Sequence, residues 1–399
     1  MSALVEDNLG QIWTLNFGPQ HPATHTTFHL ILKLDGETIV HCDSHIGYLH
    51  SGFEKLAEAL DFNQYVTLTD RMNYLSPICN NIAWHDACEK LFGVELTPRC
   101  KYLRVIMNEL SRIFDHLLNI GTAGLDLGAF TAFIYGFNPR EALNDIFEAA
   151  CGHRFTNSWT RVGGLVQDAP ESLIPMIRDF CRNLPAALDD VERLLTRNKI
   201  FIDRTRNIGI ITYDQAVDWS LTGPAARASG VKRDLRKDEP FLAYADFDFK
   251  IPIATEGDSY HRYLVRLEEI RQSLAIVHQA VENLPTGPVD VDPDYKLNLP
   301  AKSEVYGSIE GLIRHFELVM TNRKFRPPVG EVYGYNESPN GELGFYIVSD
   351  GAGTAYRGRC RPPSFLNYQY FPKMIEDLQI SDLVAVLGSL NIIVAELDR

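Results

Sequence analysis

The segment Gly18-Pro19-Gln20-His21-Pro22-Ala23-Thr24-His25 brings two histidines and two prolines together just ahead of a strand-like run. Imidazole exchanges a proton near neutral pH, so such a segment can donate hydrogen bonds, move protons or ligate a metal. Each proline fixes its own φ and pushes the preceding residue out of the α region, which predicts extended Gly18 and His21 in a stiff turn. Further histidines follow at 29, 41, 45 and 50, and the His-x3-His spacing raises a shared metal. That spacing puts both rings on one face only in a helix. Pro22 and the alternation after Thr26 argue for a strand, where residues four apart lie roughly 13 Å from each other, too far to share one ion. Hydrogen-bonded histidines on a half-buried sheet account for most of the group. They do not account for His21 and His25 inside a Pro-bracketed turn.

Two further segments carry chemistry-bearing side chains. Arg71-Met72-Asn73-Tyr74-Leu75-Ser76 ends a helical stretch with an aromatic residue. Core packing explains it, although a buried tyrosine also needs a partner for its hydroxyl. Gly121-Thr122-Ala123-Gly124-Leu125-Asp126-Leu127-Gly128 closes an apolar helix, either as a simple C-cap or as a carboxylate, Asp126, presented in a cleft. Gly351-Ala352-Gly353 has no GxGxxG pattern or Walker lysine after it, so nucleotide binding has little support. Arg357, Arg359 and Arg361 alternate on a strand as a solvated or partner-facing edge.

The elements that must hold these residues are legible from periodicity. Over 11–43, Phe28, Leu30, Leu32 and Leu34 alternate with their neighbours and Asp35-Gly36 makes a hairpin, predicting a small antiparallel sheet. Pro98 opens a long helix in which Leu103, Ile106, Leu110, Ile113, Leu117 and Ile120 recur at three- and four-residue steps. Helices are also expected over 139–151, 171–197, 258–284 and 303–318, together a central bundle. The expected fold is α+β in one unit over 1–399. It comprises the sheet at 11–43, a first part of the bundle at 52–200, a mixed insertion with short strands at 199–257, helices at 258–320, and C-terminal strands and helix at 330–399. Glu331–Tyr335 and Gly344–Val348 should flank a turn at 338–341.

Composition narrows the function classes. A hydrophobic fraction of 45% over 399 residues is that of a globular protein, and a net charge of −14 disfavours nucleic acid, whose phosphates demand excess Lys and Arg. No run reaches the ~18–20 apolar residues of a membrane span. The nearest, Leu383 to Ala395, is broken by Gly388, Ser389 and Asn391 and reads as a buried helix and strand. Met1-Ser2-Ala3-Leu4-Val5-Glu6-Asp7 lacks the pattern of a signal or transit peptide, so a soluble or peripheral protein of a cytoplasm-like compartment is expected. The seven cysteines form no CxxC pair, which argues for reduced, packed thiols and against a thiolate-held metal site.

Six motifs occur in order: 18–25; His-Ile-Gly-Tyr-Leu-His at 45–50; Arg161-Val162-Gly163-Gly164; Arg227-Ala228-Ser229-Gly230; Gly341-Glu342-Leu343-Gly344; and Glu396-Leu397-Asp398-Arg399. Together they closely resemble the 49 kDa family of respiratory complex I, the proton-pumping NADH:quinone oxidoreductase, over essentially the whole chain. That family is related to the large subunit of nickel–iron hydrogenases, which hold their metals with two CxxC pairs. Here those pairs fall on Asn73 and Ser76 and on Ile393 and Glu396, none of which supplies a thiolate, so the nickel–iron site cannot form.

The resemblance implies a cavity that binds the quinone head group, with His25 and Tyr74 as its ligands, Asp126 as partner of the histidine, and Arg71 near the terminal [4Fe-4S] cluster of a neighbouring subunit. No metal or redox cofactor is implied for this chain, while NADH and FMN are used elsewhere in the complex. The implied partners are the small cluster-bearing subunit, other peripheral-arm subunits and a membrane-arm subunit at the quinone channel. The implied location is the cytoplasmic face of a bacterial inner membrane. Thr26 stands where many members have glycine, which stiffens or re-aims the loop. Val166 replaces a histidine that some members place near the cluster. Two other classes fit the same sequence: a non-catalytic assembly subunit, and the same subunit type in a ferredoxin- or formate-linked relative.

Overall fold

The computed structural model describes residues 12–24, 27–291, 299–320 and 326–399. Strands β1 (Ile12–Phe17), β2 (His29–Asp35) and β3 (Thr38–His45) form an antiparallel sheet in sequence order. Along β2, Leu30, Leu32 and Leu34 are buried while Lys33 and Asp35 face solvent, as a half-buried strand requires. The β2–β3 register sets His29 opposite His45, with ring centroids 5.2 Å apart. Pairing across strands, not spacing along one, is what brings imidazoles together. Among the described residues no group of three or more His, Cys, Asp or Glu is arranged to hold a metal ion.

Helices α1 (Phe53–Leu56), α2 (Val66–Met72), α3 (Pro77–Phe92), α4 (Pro98–Asp126) and α5 (Phe130–Cys151) follow, then the strand pair β4 (Thr160–Arg161) and β5 (Gly164–Leu165) and helix α6 (Leu173–Leu195). Four short helices, α7 (Lys199–Asp203), α8 (Tyr213–Asp218), α9 (Gly223–Arg227) and α10 (Leu235–Asp238), lead to α11 (Ser259–Glu282), α12 (Lys302–Gly307) and α13 (Ile309–Val319). A second antiparallel sheet, β6 (Gly330–Ser338), β7 (Gly341–Ser349) and β8 (Arg357–Arg361), precedes α14 (Pro363–Gln369), α15 (Phe371–Met374), α16 (Ile380–Leu390) and α17 (Val394–Asp398). The fold is α+β. Among the described residues no helix is long and apolar enough to cross a membrane.

Helix α4 is the axis of the bundle, flanked by α5 and α11 and touched by α3 and α16. Thr97 caps it, accepting the Cys100 N–H at 3.3 Å, and Pro98 occupies the first turn, where no amide hydrogen is needed. Its predicted apolar stripe, Leu103 to Ile120, is wholly buried. A second, polar stripe (Arg104, Asn108, Arg112, Asp115, Asn119) is buried too. The leucines of the N-terminal sheet share a core with Phe371, Leu383, Val386 and Leu387, so the two ends of the chain fold against each other.

Several expectations are corrected. Gly18 is not extended: its φ is +81°, and a Cβ there would stand 2.1 Å from the Phe28 carbonyl oxygen, so the close return of the chain selects glycine. The 199–257 region has no strands among the described residues. Side-chain caps by Asn198, Thr212 and Asp234 turn it into short helices instead. Helix α5 starts well before Pro139 and runs through it, because Gly136 and Leu143 pack on α4 and outweigh one lost backbone bond. The 303–318 helix is broken at Ser308, whose Oγ caps α13 by accepting the Gly311 N–H at 3.0 Å. The β-branched run after Asn391 is not a strand. Asn391 takes the left-handed conformation (φ 56°), the Ile393 N–H is taken by Ser364 Oγ, and α17 begins at Val394.

Candidate functional site

Between α2 and α3 the chain is held by its own side chain: Asn73 Oδ1 accepts the N–H groups of Leu75 and Ser76, both at 3.2 Å. Its Nδ2 donates to Asn340 Oδ1 at 3.2 Å, in the β6–β7 turn, and to Glu396 Oε2 at 3.4 Å, on α17. Ser364 Oγ, at the start of α14, donates to the same Glu396 oxygen at 2.8 Å and accepts from the Ile393 N–H at 3.3 Å. Positions 73, 76, 393 and 396, the four singled out by the resemblance above, thus lie on one small network in the interior. Amide, hydroxyl and carboxyl groups and an isoleucine fill it.

That network is incompletely satisfied. Ser76 Oγ and Glu396 Oε1 are buried without a hydrogen-bond partner. Burial, reinforced by the charge of Asp115 and opposed by Ser364, pushes the Glu396 carboxyl up to about 8. Asn340 Nδ2 donates to the Asn391 carbonyl, and Asn391 Nδ2 donates to Asp115 Oδ1 at 2.6 Å. Asp115 Oδ2 has no partner. Burial pushes Asp115 up to about 6, against the Asn391 hydrogen bond and the guanidinium groups of Arg266, Arg140 and Arg112.

Tyr74 stands beside this group, half-buried, its ring centroid 6.2 Å from that of Phe155. Burial and then the charge of Asp115 raise its hydroxyl above the ordinary phenol range. Arg71 lies on the exposed side of α2, donating back to the Thr67 carbonyl. Its neighbour Asp70 is buried, bonded to Ser158 and, at 2.6 Å, to Asn81 Nδ2. Arg71 and Arg161 both bear electrostatically on Asp70, so Arg71 belongs to the same region as the Arg161–Val166 loop.

Asp126 is the last residue of α4, and Gly128 ends the turn with φ +85°, so the helix end closes as a C-cap, and the Asp126 carboxyl faces the interior. Asp126 lines a cavity of about 20 Å³, room for roughly one water, with Asn119, Tyr263, Arg266 and Ser389. Burial pushes it up to about 6. A Cβ on Gly388 would stand 3.3 Å from Asp126 Oδ2, so glycine in α16 lets the carboxylate lie close. His25 lies outside the described residues. The turn leading to it is held by His21, whose Nδ1 accepts the Ala23 N–H at 3.2 Å and whose carbonyl accepts Thr24 Oγ1 at 2.9 Å. The Pro22–Thr24 turn rests on α16, the helix that also faces Asp126. The second histidine segment is fastened to the C-terminus: Asp398 accepts the N–H groups of Gly47 (2.9 Å) and Leu49 (2.7 Å).

Asp115, Asn340 and Asn391 are members of this site that the motifs do not point to. For Asp115 a signal was present. Polar residues at 104, 108, 112, 115 and 119 continue at helical spacing to Asp126, a polar stripe too regular for a helix with one wet side. Asn340 and Asn391 sit in turns and carry no periodicity.

Comparison with known proteins bears on this architecture. Residues 126–399 match the family model described as respiratory-chain NADH dehydrogenase, 49 Kd subunit. The NADH-quinone oxidoreductase D subunit from Akkermansia muciniphila is 45% identical over 391 residues, spanning 98% of this chain and 94% of the relative. Its counterpart from Methylacidiphilum infernorum is 47% identical over 390 residues, spanning 98% and 93%. The NADH-quinone oxidoreductase C/D subunit from Bdellovibrio bacteriovorus is 47% identical over 385 residues, spanning 96% of this chain and 68% of the relative. The chain belongs to the family of the 49 kDa subunit of the respiratory-chain NADH dehydrogenase, and so is part of an NADH:quinone oxidoreductase.

Proposed function

We propose that this chain forms the head-group end of the quinone site, in the peripheral arm of a proton-translocating NADH:quinone oxidoreductase on the cytoplasmic face of the membrane. The observation that carries this is the convergence of Asn73, Ser76, Glu396 and the Ile393 amide beside Tyr74, with Ser76 Oγ and Glu396 Oε1 left unpartnered. A quinone carbonyl accepts hydrogen bonds, and two-electron reduction makes both its oxygens basic. Tyr74 O–H donates at one oxygen and His25 at the other, and each supplies a proton as the quinol forms. Asp126 orients the imidazole and favours its charged form. Arg71 adds positive potential on the side facing the partner subunit. The electrons come from the [4Fe-4S] cluster of that small partner, and the membrane arm completes the channel.

Tyr74→Phe is expected to cut quinone reduction by ~100-fold or more, as loss of a positioned proton donor does. Electron entry from NADH to an artificial acceptor should be unaffected. Equal quinone turnover in the variant and parent complexes would remove Tyr74 from the reaction.

A further inference from the structure

Behind Tyr74 lie buried groups that this chemistry does not use. Asp115 Oδ2, Glu396 Oε1 and Ser76 Oγ are enclosed and without partners. A buried carboxylate with an unfilled oxygen is costly, whereas a carboxylic acid fills that position with its own proton. The donors that do reach the two carboxyls are neutral: Asn391 for Asp115, Asn73 and Ser364 for Glu396. None of the nearby guanidinium groups is bonded to either carboxyl. Arg112 donates to the carbonyls of Ser338 (3.0 Å) and Glu337, Arg140 Nε to that of Phe114 (3.1 Å), and Arg266 Nη1 to that of Arg262 (3.4 Å), while Arg266 Nε is itself buried without a partner.

We propose that Asp115 and Glu396 form a carboxyl pair that stores a proton and returns it to Tyr74 after Tyr74 has protonated the reduced quinone. This rests on Tyr74 being the donor at its end of the ring. The quinone takes two electrons from the neighbouring cluster, one at a time. The Tyr74 O–H bond breaks, its proton forms an O–H bond on the quinone, and His25 supplies the second proton at the opposite oxygen, completing the quinol. The Tyr74 phenolate then takes the proton of the pair, held chiefly on Glu396 and passed by way of Asp115, and the pair is refilled from solvent.

Electrostatics fixes the order of events. Asp115 is the charged group that bears on Tyr74, and an ionised Asp115 opposes a phenolate beside it. A protonated Asp115 removes that repulsion and is also the proton source. Asp126 cannot serve this end: it lies eleven residues farther along α4, roughly 16 Å at ~1.5 Å per residue. Asp115 is therefore the carboxyl at the Tyr74 end. Glu396 is faced by Asn73, Ser364 and Asp115 and bears on the Cys360 thiol of β8, which Arg399, Arg361 and Glu54 also surround. Asp115 is faced by Arg112 on its own helix, Arg140 on α5, Arg266 on α11 and Tyr74.

The test uses the assembled complex with Asp115→Asn, Glu396→Gln and Tyr74→Phe, measuring quinone reduction against pH with NADH oxidation by an artificial acceptor as the assembly control. Asp115→Asn should lower kcat by ~10-fold with KM within about twofold, as expected when proton return and not binding is lost. In the parent, kcat should fall as pH rises through about 8, where Glu396 loses its proton, and in Glu396→Gln the fall should begin nearer 6, where Asp115 does. If both carboxyl variants keep the parent kcat and profile while Tyr74→Phe is inactive, the pair is overturned and the tyrosine's role stands. If Tyr74→Phe is itself fully active, the quinone-site reading fails first. Should either carboxyl variant not assemble, redox-triggered infrared difference spectra of the parent complex decide. A protonated-carboxyl band that changes on quinone reduction and shifts in heavy water supports the pair, and its absence overturns it.

Discussion

Helix α4 passes through two buried polar regions that differ in one respect. In the first, Glu109, Arg112 and His116 meet Arg227, Asp234, Arg236, Glu269 and Glu337. Arg227 Nε donates to Glu269 at 2.8 Å, Arg236 donates to Asp234 at 2.7 Å and to Glu109 at 3.0 Å, and Tyr244 O–H adds a bond to Glu109 at 2.6 Å. Guanidinium charge outweighs burial at two of these carboxyls, holding Asp234 down to about 2 and Glu269 well below the carboxylate range, whereas at Glu337 burial wins over Arg227 and raises it. His116, pushed down to about 4 by burial, is a neutral ring that donates its Nε2–H to Glu269 at 2.9 Å. In the second region, Asp115 and Glu396 are as deeply buried but meet amides and a hydroxyl, and their affinity for protons rises toward neutral pH. The same helix therefore carries fixed charges that define its packing and, one turn away, a carboxyl, Asp115, whose affinity for a proton is raised. At Asp234 and Glu269 it is guanidinium pairing, not lesser burial, that sets them apart from Asp115 and Glu396.

The largest effect should come from breaking the paired region. Glu269→Ala leaves Arg227 and His116 without their shared acceptor in the interior, and loss of one partner of a buried ion pair typically costs ~3–5 kcal/mol. Urea unfolding of the purified chain measures it, and a loss under ~1 kcal/mol would erase the contrast between the regions. The two regions also respond to pH with opposite sign. Asp234 has a depressed pKa, so its contribution is present above its unfolded value of ~4 and is lost as pH falls toward about 2. Asp115 and Glu396 have raised values. The contribution of their neutral forms is complete below ~4 and is lost as pH rises through about 6 and about 8 respectively.

Much of this was legible in the residues. The N-terminal sheet, the α4 stripe from Leu103 to Ile120 and the β6–β7 hairpin follow from periods of two and of three to four, because each buries one face against a single neighbour. The 199–257 region was not, since side-chain caps rather than periodicity set its helices. Of the candidate residues, Tyr74 and Asp126 were singled out from the sequence, and burial raises the proton affinity of both. Asp115, Asn340 and Asn391 belong to the site only through contacts with residues far away in sequence, such as Asn391 with Asp115. His29 and His45 teach the same lesson, since their proximity depends on register. Periodicity reports which face a residue occupies; it does not report what the opposite face brings.

A smaller effect is expected at the other end of the site. If Asp126 serves His25 as a counter-charge, Asp126→Asn removes the carboxylate that favours the imidazolium, and the histidine gives up its proton at lower pH. The limb of quinone reduction that depends on His25 should then move down by ~1 pH unit, the size of an ordinary neighbouring-charge effect, with a few-fold loss of rate. An unshifted, undiminished profile would detach Asp126 from His25. The Tyr74 end should be untouched, and a variant that altered both ends equally would mean that Asp115 and Asp126 do not act separately.

The smallest effect should fall on ion pairs that look like the Arg227 cluster but sit in solvent. Arg154 meets Glu141, Asp145 at 3.2 Å and Glu148 at 3.9 Å along α5, one guanidinium among three carboxylates, much as Arg227 is. All four side chains are about half exposed or more, so water already solvates each charge and salt screens what remains. Arg154→Ala should leave the urea midpoint within error of the parent, where Glu269→Ala shifts it far. The two substitutions remove similar charge contacts and differ in the solvent around them. A measurable loss at Arg154 would mean that contact number governs these networks. An unchanged midpoint leaves desolvation as the difference, which is also what raises Asp115 and Glu396 where no opposite charge is bonded to them.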